Sequence, residues 1–318
     1  MNITIVAFDL WGFNRKIVDE LLKQNHTVNF LDLNAIKYTY KSKMHRVGNF
    51  LNKVFLGKNI KKDYRNRTLI KMINDLPKQD HVLIVNPILF RKDILALLRS
   101  KTNKFIAYNY DSLARMPLPE NHNTLFDAIF SFDIYDVKAN NELSLLTNYI
   151  YLDKHLNTAP KNKAFMILSK SYEREVILSK IADIFDGKNL NYEFIVANPA
   201  TKKVNKKIHL TEHHIKLDIV EEKMKDAEIL VDLVRENQTG LSFRIFEAMA
   251  LHKKIITNNH TIKQFDFYNE NNILVIDNDN ISIPDTFLNT TYQPLPEELY
   301  NKYTLKNWIS TAFNFQTV

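Results

Sequence analysis

The chain has 318 residues and no cysteine, so it has neither disulfides nor a thiolate metal site. Its net charge is +7 and its apolar and charged fractions are ordinary for a globular protein, while the length suits two domains of about 150 residues. Glycine is scarce, and the glycine-rich motifs of a standard dinucleotide site and of a P-loop NTPase are absent, so both classes are disfavoured.

Short apolar strands alternate with helices through the first half of the chain. The first strand covers Asn2–Phe8, and because no basic region precedes it and Asp9 interrupts the apolar run, we expect no signal peptide. No stretch of the sequence is long enough to span a membrane. Helices are predicted over Arg15–Lys23, Thr68–Asn74 and Arg91–Ser100. Further strands are predicted over Thr27–Leu31, His81–Val85, Phe105–Tyr108 and Ala128–Phe130. This alternation predicts a parallel, doubly wound sheet.

The segment Lys41–Arg67 holds most of the excess positive charge, with nine basic residues against Asp63 alone. Apolar residues recur in it at helical spacing: Met44, Val47, Phe50, Leu51, Val54 and Phe55. A basic amphipathic helix of this kind is typical of a membrane-surface element. The expected contacts to anionic lipid are Lys53, Lys58, Lys61 and Lys62. The alternative is a helix whose apolar stripe packs on its own domain. No RNA- or DNA-binding motif accompanies the charge, so a nucleic-acid partner is not expected.

The same alternation restarts in the second half, after a linker at His155–Lys163. A strand over Ala164–Leu168 precedes a long helix over Tyr172–Phe185. Further strands are predicted over Tyr192–Val196, Ile208–Leu210, Glu228–Leu233, Lys254–Thr257 and Ile273–Ile276. From Pro294 the tail turns and becomes helical. The sequence therefore predicts a second α/β unit with its own parallel sheet.

The segment from Asp232 to Asn259, DLVRENQTGLSFRIFEAMALHKKIITNN, is the most informative part of the chain. It is predicted as a strand, a polar loop ending in Gly240, a helix over Leu241–Leu251 and another strand. A loop at the carboxyl end of a parallel strand, leading into a helix N-terminus, is where open α/β sheets bind ligands. Free N–H groups and the helix dipole favour a diphosphate there.

Two charged residues on this helix sharpen the prediction. Arg244 can pair with phosphate, and Glu247, one turn later, can accept hydrogen bonds from both hydroxyls of a ribose. The alternative is an ordinary surface ion pair on an amphipathic helix, since residues three positions apart are neighbours.

The stretch GLSFRIFEAMALHKKIITNN resembles the donor-site helix of GT-B fold glycosyltransferases. It is similar to bacterial lipopolysaccharide, O-antigen and capsule enzymes with a CgeB-like or family-four-like C-terminal domain. The resemblance implies an α/β fold of two doubly wound, Rossmann-like domains facing a cleft. It implies an acceptor-binding domain over 1–157, a nucleotide-sugar-binding domain over 158–295 and a final helix over 296–318 that crosses back to the first.

The resemblance also implies which residues bind the donor. Glu247 is expected to bind the ribose, Arg244 the diphosphate, and the Gly240–Ser242 backbone the phosphates. The full expected set is Lys170, Arg235, Gln238, Thr239, Gly240, Leu241, Ser242, Arg244 and Glu247. Many retaining enzymes of this fold carry two glutamates eight positions apart around the helix, but here Thr239 stands eight positions before Glu247. The sequence therefore favours an inverting mechanism.

An inverting transfer needs a base for the acceptor hydroxyl, and three aspartates follow predicted strands of the first half. Asp111 is the first choice, Asp9 the second and Asp133 the third; each is equally explained as a helix cap or turn residue. Trp11, beside Asp9, and Asn258, after a strand of the second half, are expected to contact a sugar.

The expected function is glycosyl transfer from a nucleotide sugar to a glycan or lipid-linked acceptor, at the cytoplasmic face of the inner membrane. The nucleotide sugar is a substrate, and neither a cofactor nor a metal is expected. Two alternatives stay open: a sugar-nucleotide epimerase of the same fold, and a non-catalytic nucleotide-sugar-binding protein on the membrane.

Overall fold

The computed structural model describes residues 1–56, 59–155, 159–201, 204–213 and 215–315. The chain divides into two compact units. Unit 1 comprises Met1–Ser131, Ala139–Ser144 and the C-terminal residues from Ala312; unit 2 comprises Phe132–Lys138 and Leu145–Thr311. The domain boundaries and the crossing of the final helix that the resemblance implies stay predictions.

Unit 1 is built on a six-stranded sheet with strand order β2-β1-β3-β4-β5-β6. The pairs from β2 to β5 are parallel. The strands are β1 (Asn2–Ala7), β2 (Thr27–Asp32), β3 (Gln79–Val85), β4 (Thr102–Asn109), β5 (Ala128–Ser131) and β6 (Ser144–Leu145). The helices are α1 (Phe13–Lys23), α2 (Lys43–Leu56), α3 (Ile60–Asn74), α4 (Lys92–Ser100) and α5 (His122–Leu125); α6 (Ile134–Ala139) lies mostly in unit 2.

The central strands β1, β3 and β4 are buried along most of their length, which is typical of a parallel sheet covered on both faces. Ile3 and Ile5 of β1 are fully buried, and so is Ile84 of β3. α1 buries Ile17, Val18 and Leu21, which recur at helical spacing along one face. The five strands predicted for this half are confirmed, and β6 was missed because it is only two residues long.

The basic segment forms two helices rather than one. α2 ends at Leu56, and α3 begins at Ile60, where the Asn59 side chain accepts hydrogen bonds from the backbone N–H groups of Lys61 and Lys62. Such side-chain capping is why asparagine starts helices so often. The predicted helix at Thr68–Asn74 is thus the second half of α3. The predicted amphipathic stretch is therefore divided between two helices.

Unit 2 contains a second parallel sheet with order β12-β11-β10-β7-β8-β9. The strands are β7 (Asn162–Ser169), β8 (Tyr192–Ala197), β9 (His209–Thr211), β10 (Ala227–Asp232), β11 (Lys254–Thr257) and β12 (Ile273–Val275). The helices are α7 (Tyr172–Gly187), α8 (Leu217–Lys225), α9 (Phe243–Leu251), α10 (Asp285–Asn289), α11 (Glu297–Lys302) and α12 (Leu305–Phe313), whose last residues group with unit 1.

Successive residues of β10 enter two different cores. Leu230 packs in the cluster that contains α9, whereas Ile229 and Val231 pack in the cluster that contains α7. Because side chains alternate across a strand, this division means that the sheet is covered on both faces. The predicted strands of this half are confirmed, and α8, with only Val220 and Met224 buried, is a helix that was missed. No helix in the described part of the chain is long and apolar enough to cross a membrane.

Candidate functional site

The carboxyl ends of β7 and β10 form the topological switch point of unit 2. From β7 the chain proceeds outward to β8 and β9, and then returns to place β10 on the opposite side of β7. Loops leaving two neighbouring strands in opposite directions open a crevice in which α/β sheets bind ligands. The loop after β10, with most of the predicted donor residues, lies at this crevice.

The loop that precedes α9 is held from behind by two asparagine amides. Asn259 Nδ2 donates to the carbonyl oxygens of Thr239 and Gly240 at 3.1 and 3.2 Å. Asn148 Nδ2 donates to the carbonyl oxygen of Leu241 at 2.9 Å. In a trans peptide the C=O and the following N–H point in opposite directions, so the N–H groups of Gly240, Leu241 and Ser242 point away from these contacts. That direction suits the binding of phosphate oxygens.

Gly240 is required by close packing and not by backbone conformation. A Cβ at this position would lie 2.3 Å from the Phe132 ring. Phe132 is buried, and Gly240 is not among the residues with a positive φ. Asp133, which follows Phe132 in the chain, accepts a hydrogen bond from Thr239 Oγ1 at 2.5 Å and one from the Tyr135 backbone N–H at 2.9 Å. Asp133 therefore braces, within unit 2, the loop between β10 and α9, which is called the donor loop below after its predicted role.

Ser242 caps α9 and ties the helix to the sheet. Its Oγ accepts a hydrogen bond from the Arg244 backbone N–H and donates one to Asp232 Oδ1 at 2.7 Å. The other Asp232 oxygen accepts from Thr257 Oγ1 at 3.2 Å. Burial raises the pKa of the Asp232 carboxyl above its usual range, while the hydroxyl donors and Arg244 oppose that shift. The helix therefore begins at Phe243, two residues later than predicted, because Ser242 serves as the cap.

Arg244 and Glu247 form an ion pair inside the protein. Arg244 Nη1 lies 2.9 Å from Glu247 Oε2, and the two side chains are only 13 % and 3 % exposed. The Tyr151 hydroxyl donates to the other Glu247 oxygen. Burial, followed by the negative charge of Glu247, strongly raises the pKa of Tyr151. The ion pair anticipated from the spacing exists, but it lies in the interior beneath the donor loop and not on an exposed helix face.

The remaining predicted donor residues lie in the loops after β7 and β10. Lys170 is exposed after β7, and Arg235 and Gln238 form a turn in the loop after β10. Asn258 Oδ1 accepts from the Val234 backbone N–H at 2.8 Å, and its amide donates to Asn278, so this residue supports the same loop. The donor-binding roles assigned to these residues stay predictions.

Arg174 is a cation at the switch point that the sequence did not single out. Its guanidinium donates to the Ser169 carbonyl at 3.0 Å and to the Leu233 carbonyl at 3.3 Å, which end β7 and follow β10. Tyr151, Asp232, Asn148 and Asn259 likewise support the site without having been ranked among its ligands. The available signal was positional, since Asp232 and Asn259 directly end or follow strands at the carboxyl edge.

Unit 1 has its own switch point between β1 and β3, and Asp9 lies there. Its carboxylate accepts hydrogen bonds from the backbone N–H groups of Gly12, Asn14 and Arg15 at 3.0, 3.3 and 2.9 Å. Asp9 thus caps α1. Burial raises the pKa of its carboxyl and the Asp32 charge adds to this, while the three N–H donors oppose the shift.

Asp111, the first-ranked base, follows β4 and lies near Asp9. Asp111 Oδ1 pairs with Arg115 Nη1 at 2.9 Å and accepts from the Ser112 backbone N–H at 3.2 Å. Burial raises the pKa of Tyr110, and the negative charges of Asp9 and Asp111 raise it further. Both candidate bases therefore act electrostatically on the same phenol, and Trp11, two residues after Asp9, is exposed.

The apolar row of α2 is exposed in the described part of the chain. Phe50 and Phe55 are 64 % and 77 % exposed, and Met44, Val47, Leu51 and Val54 are exposed as well. Lys53 of α2 is exposed, and so are Lys61 and Lys62 in the first turn of α3. Lys58 lies outside the described residues. The alternative in which this stripe packs on its own domain is therefore not what the structure contains.

Over the residues that are described, no group of three or more histidine, aspartate or glutamate side chains is close enough to hold an ion.

Solved structures share this fold across almost the whole chain, although no protein-family model and no curated protein sequence matches it. An α,α-trehalose-phosphate synthase (UDP-forming) from Burkholderia xenovorans, in complex with glucose-6-phosphate, is 10 % identical with a TM-score of 0.58 and covers 98 % of both chains. An α-glucosyltransferase in complex with UDP-glucose and DNA containing an abasic site is 12 % identical with a TM-score of 0.57, covering 99 % of this chain and 93 % of that one. At such identities the likeness establishes the fold, and the predicted α/β, GT-B fold class is confirmed.

Proposed function

We propose that the chain is a glycosyltransferase that moves a sugar from a nucleotide-sugar donor to a glycan or lipid-linked acceptor, with inversion at the anomeric carbon. The observation that carries this proposal is the carboxyl end of β10, where Arg244 and Glu247 lie beneath a helix N-terminus at a topological switch point. Two proteins of the same fold support the choice of donor, since one is described with UDP-glucose and the other as UDP-forming.

In the proposed reaction, unit 2 binds the donor through its nucleotide. The N–H groups of Gly240–Ser242 and the Arg244 guanidinium stabilise the diphosphate as the bond from the anomeric carbon to its oxygen breaks. Glu247 accepts the ribose hydroxyls, for which Tyr151 stands in when no donor is bound. A carboxylate of unit 1, Asp111 or Asp9, takes the proton of the acceptor hydroxyl as that oxygen bonds to the anomeric carbon.

The test is nucleoside diphosphate binding by calorimetry over UDP, GDP, ADP, CDP and dTDP. Wild type is expected to bind at least one of them, and Glu247→Ala should weaken that binding by roughly tenfold or more, because two hydrogen bonds to a charged group are lost. Glu222→Ala, an exposed glutamate of α8, is the matched control. Failure of wild type to bind any of the five, or unchanged affinity in a folded Glu247→Ala variant, contradicts the proposal. The anomeric configuration of the transferred sugar in the product glycoside, determined by NMR and compared with that of the donor, separates inversion from retention.

The same proposal places the enzyme on an anionic membrane, at the cytoplasmic face of the inner membrane. The exposed apolar row of α2, together with the exposed Lys53, Lys61 and Lys62, matches the chemistry of a leaflet with acidic headgroups. The protein should sediment with phosphatidylglycerol vesicles and not with phosphatidylcholine vesicles. Charge reversal of the three lysines should release it. Equal binding to both vesicle types argues against this location.

A further inference from the structure

Arg65 is a cation at the carboxyl end of the unit 1 sheet whose charge no described carboxylate balances. It lies on α3, and its guanidinium carbon is 4.6 Å from the centroid of the Phe8 ring, directly after β1. Its Nε is buried, and no acceptor among the described residues lies within hydrogen-bonding distance. The ion pairs that arginines form in the described part of the chain belong to Arg15, Arg91, Arg99, Arg115 and Arg244.

A buried, charged donor without an acceptor costs free energy unless a ligand supplies the missing partner. The face of Phe8 offsets part of this cost through a cation–π contact. Burial lowers the pKa of Arg65, and no carboxylate contributes to that pKa. Even so, an arginine stays protonated at neutral pH, so the positive charge is present and available.

The surroundings of Arg65 indicate where a bound anion would lie. Phe8 immediately precedes Asp9, one of the two candidate bases, and its ring contacts Phe90 at 5.7 Å between centroids. Leu10 and Trp11, on the loop after β1, are exposed, and so are the neighbouring Ile88 and Leu89 after β3. An anion paired with Arg65 would therefore lie near Phe8, directly before the candidate base Asp9, and close to exposed apolar residues.

We propose that Arg65 binds a phosphate group of the acceptor, and hence that the acceptor is a phosphate or diphosphate ester. This inference rests on the proposed function, because it takes unit 1 as the acceptor side. A guanidinium is well suited to phosphate, because two of its N–H groups can donate to two oxygens of the same phosphate at once. The exposed apolar residues favour an ester with a lipid chain, and a soluble sugar phosphate has the same phosphate chemistry.

The test compares phosphate esters with their parent alcohols, using the full chain with its donor site blocked by saturating nucleoside diphosphate. The probes are geranyl phosphate against geraniol, and glucose 6-phosphate against glucose. Wild type should prefer at least one phosphate over its alcohol by roughly ten- to a hundredfold, the usual effect of a charge-assisted pair. The pair that responds tells a lipid phosphate from a sugar phosphate. Arg65→Gln should abolish the preference, Arg65→Lys should keep part of it, and Arg67→Gln, exposed on the same helix, should leave it intact.

Two outcomes would overturn the inference: equal affinity of wild type for phosphate and alcohol in both pairs, or a full preference in Arg65→Gln. The comparison of phosphate with alcohol in the wild-type protein needs no variant, so it tests the inference even if Arg65→Gln fails to fold. Nucleoside diphosphate binding should be unchanged in Arg65→Gln. If wild type binds no nucleoside diphosphate but still prefers phosphate esters through Arg65, the donor assignment fails and the anion site stands.

Discussion

At the carboxyl end of its sheet, unit 2 ties the donor loop to its surroundings through several hydrogen bonds, whereas unit 1 leaves the buried Nε of Arg65 without an acceptor among the described residues. In unit 2, Asn148, Asn259, Asp133 and Asp232 each hold a backbone or hydroxyl group of the loop. In unit 1, the Arg65 guanidinium lies over the Phe8 ring and pairs with no described carboxylate, and Trp11 is exposed.

This difference indicates what each edge is built to bind. A site fixed in advance lowers the cost of binding, because the protein groups that contact the ligand are already ordered. An edge with exposed apolar residues and unbalanced charge suits a ligand that completes it. The two edges share a topology, so the contrast arises from side chains and not from the fold.

The largest effect should come from removing the base in unit 1. Asp111→Asn keeps the shape and loses proton acceptance, so turnover should fall by roughly 10²–10⁴-fold while nucleoside diphosphate affinity stays near wild type. Asp9→Asn is the matched comparison, because the Asp9 charge acts on the same Tyr110. The measurement is steady-state turnover of the nucleotide sugar with the acceptor.

The assignment moves to Asp9 if Asp9→Asn abolishes turnover and Asp111→Asn does not. The pH profile adds an independent check, because burial raises the pKa of Asp9. A base with a raised pKa stays protonated, and hence inactive, to a higher pH, so the acid limb of the rate profile should lie above the ordinary aspartate range. If neither substitution slows turnover, the inverting mechanism loses its main support.

A smaller effect, on stability and donor affinity, is expected from adding a single methyl group at Gly240 in unit 2. Gly240→Ala would place a Cβ 2.3 Å from the nearest atom of the Phe132 ring, and relieving that clash should destabilise the protein by about 1–3 kcal/mol. Because the loop shifts, donor affinity should also fall. Gly48→Ala is the control: nothing lies within 4 Å of its Cβ, and alanine in a helix interior should stabilise by about 0.5–1 kcal/mol. Urea denaturation and calorimetry measure both, and an unchanged Gly240→Ala variant would mean that the loop adapts freely.

Periodicity and strand endings predicted the architecture well, because each signal is local. Glu228–Leu233 and Lys254–Thr257 are apolar runs of strand length, and both became neighbouring parallel strands. The weakest predictions concerned segments without a clear pattern. α8 was missed because only Val220 and Met224 are buried, and the break between α2 and α3 depends on the Asn59 cap inside a stretch of continuous helical spacing.

The candidate site was predictable only where its residues share one helix. Arg244 and Glu247 are one turn apart, so their spacing revealed them. Tyr151 lies 96 positions from Glu247, and Asn148 lies 93 positions from Leu241, so no local pattern links them. Gly240 was noticed because glycine is rare, but its reason, the ring of Phe132 more than a hundred residues earlier, is a tertiary contact.

The smallest effect concerns the buried carboxylate of unit 2. The pKa of Asp232 is raised by burial, so the folded chain holds a proton that the unfolded chain has already released. Between the ordinary aspartate value and the raised one, the folded state therefore binds more protons, and the free energy of unfolding falls as pH rises. Asp232→Asn keeps an oxygen for the Ser242 hydroxyl and cannot ionise. The stability of the variant relative to wild type should therefore rise with pH above the ordinary aspartate range, until the raised pKa of Asp232 is passed. Urea denaturation of both proteins from pH 4 to pH 8 measures this difference, in which all other titrating groups cancel. A difference that stays constant over the range would mean that Asp232 ionises normally, and that Arg244 and the hydroxyl donors outweigh its burial.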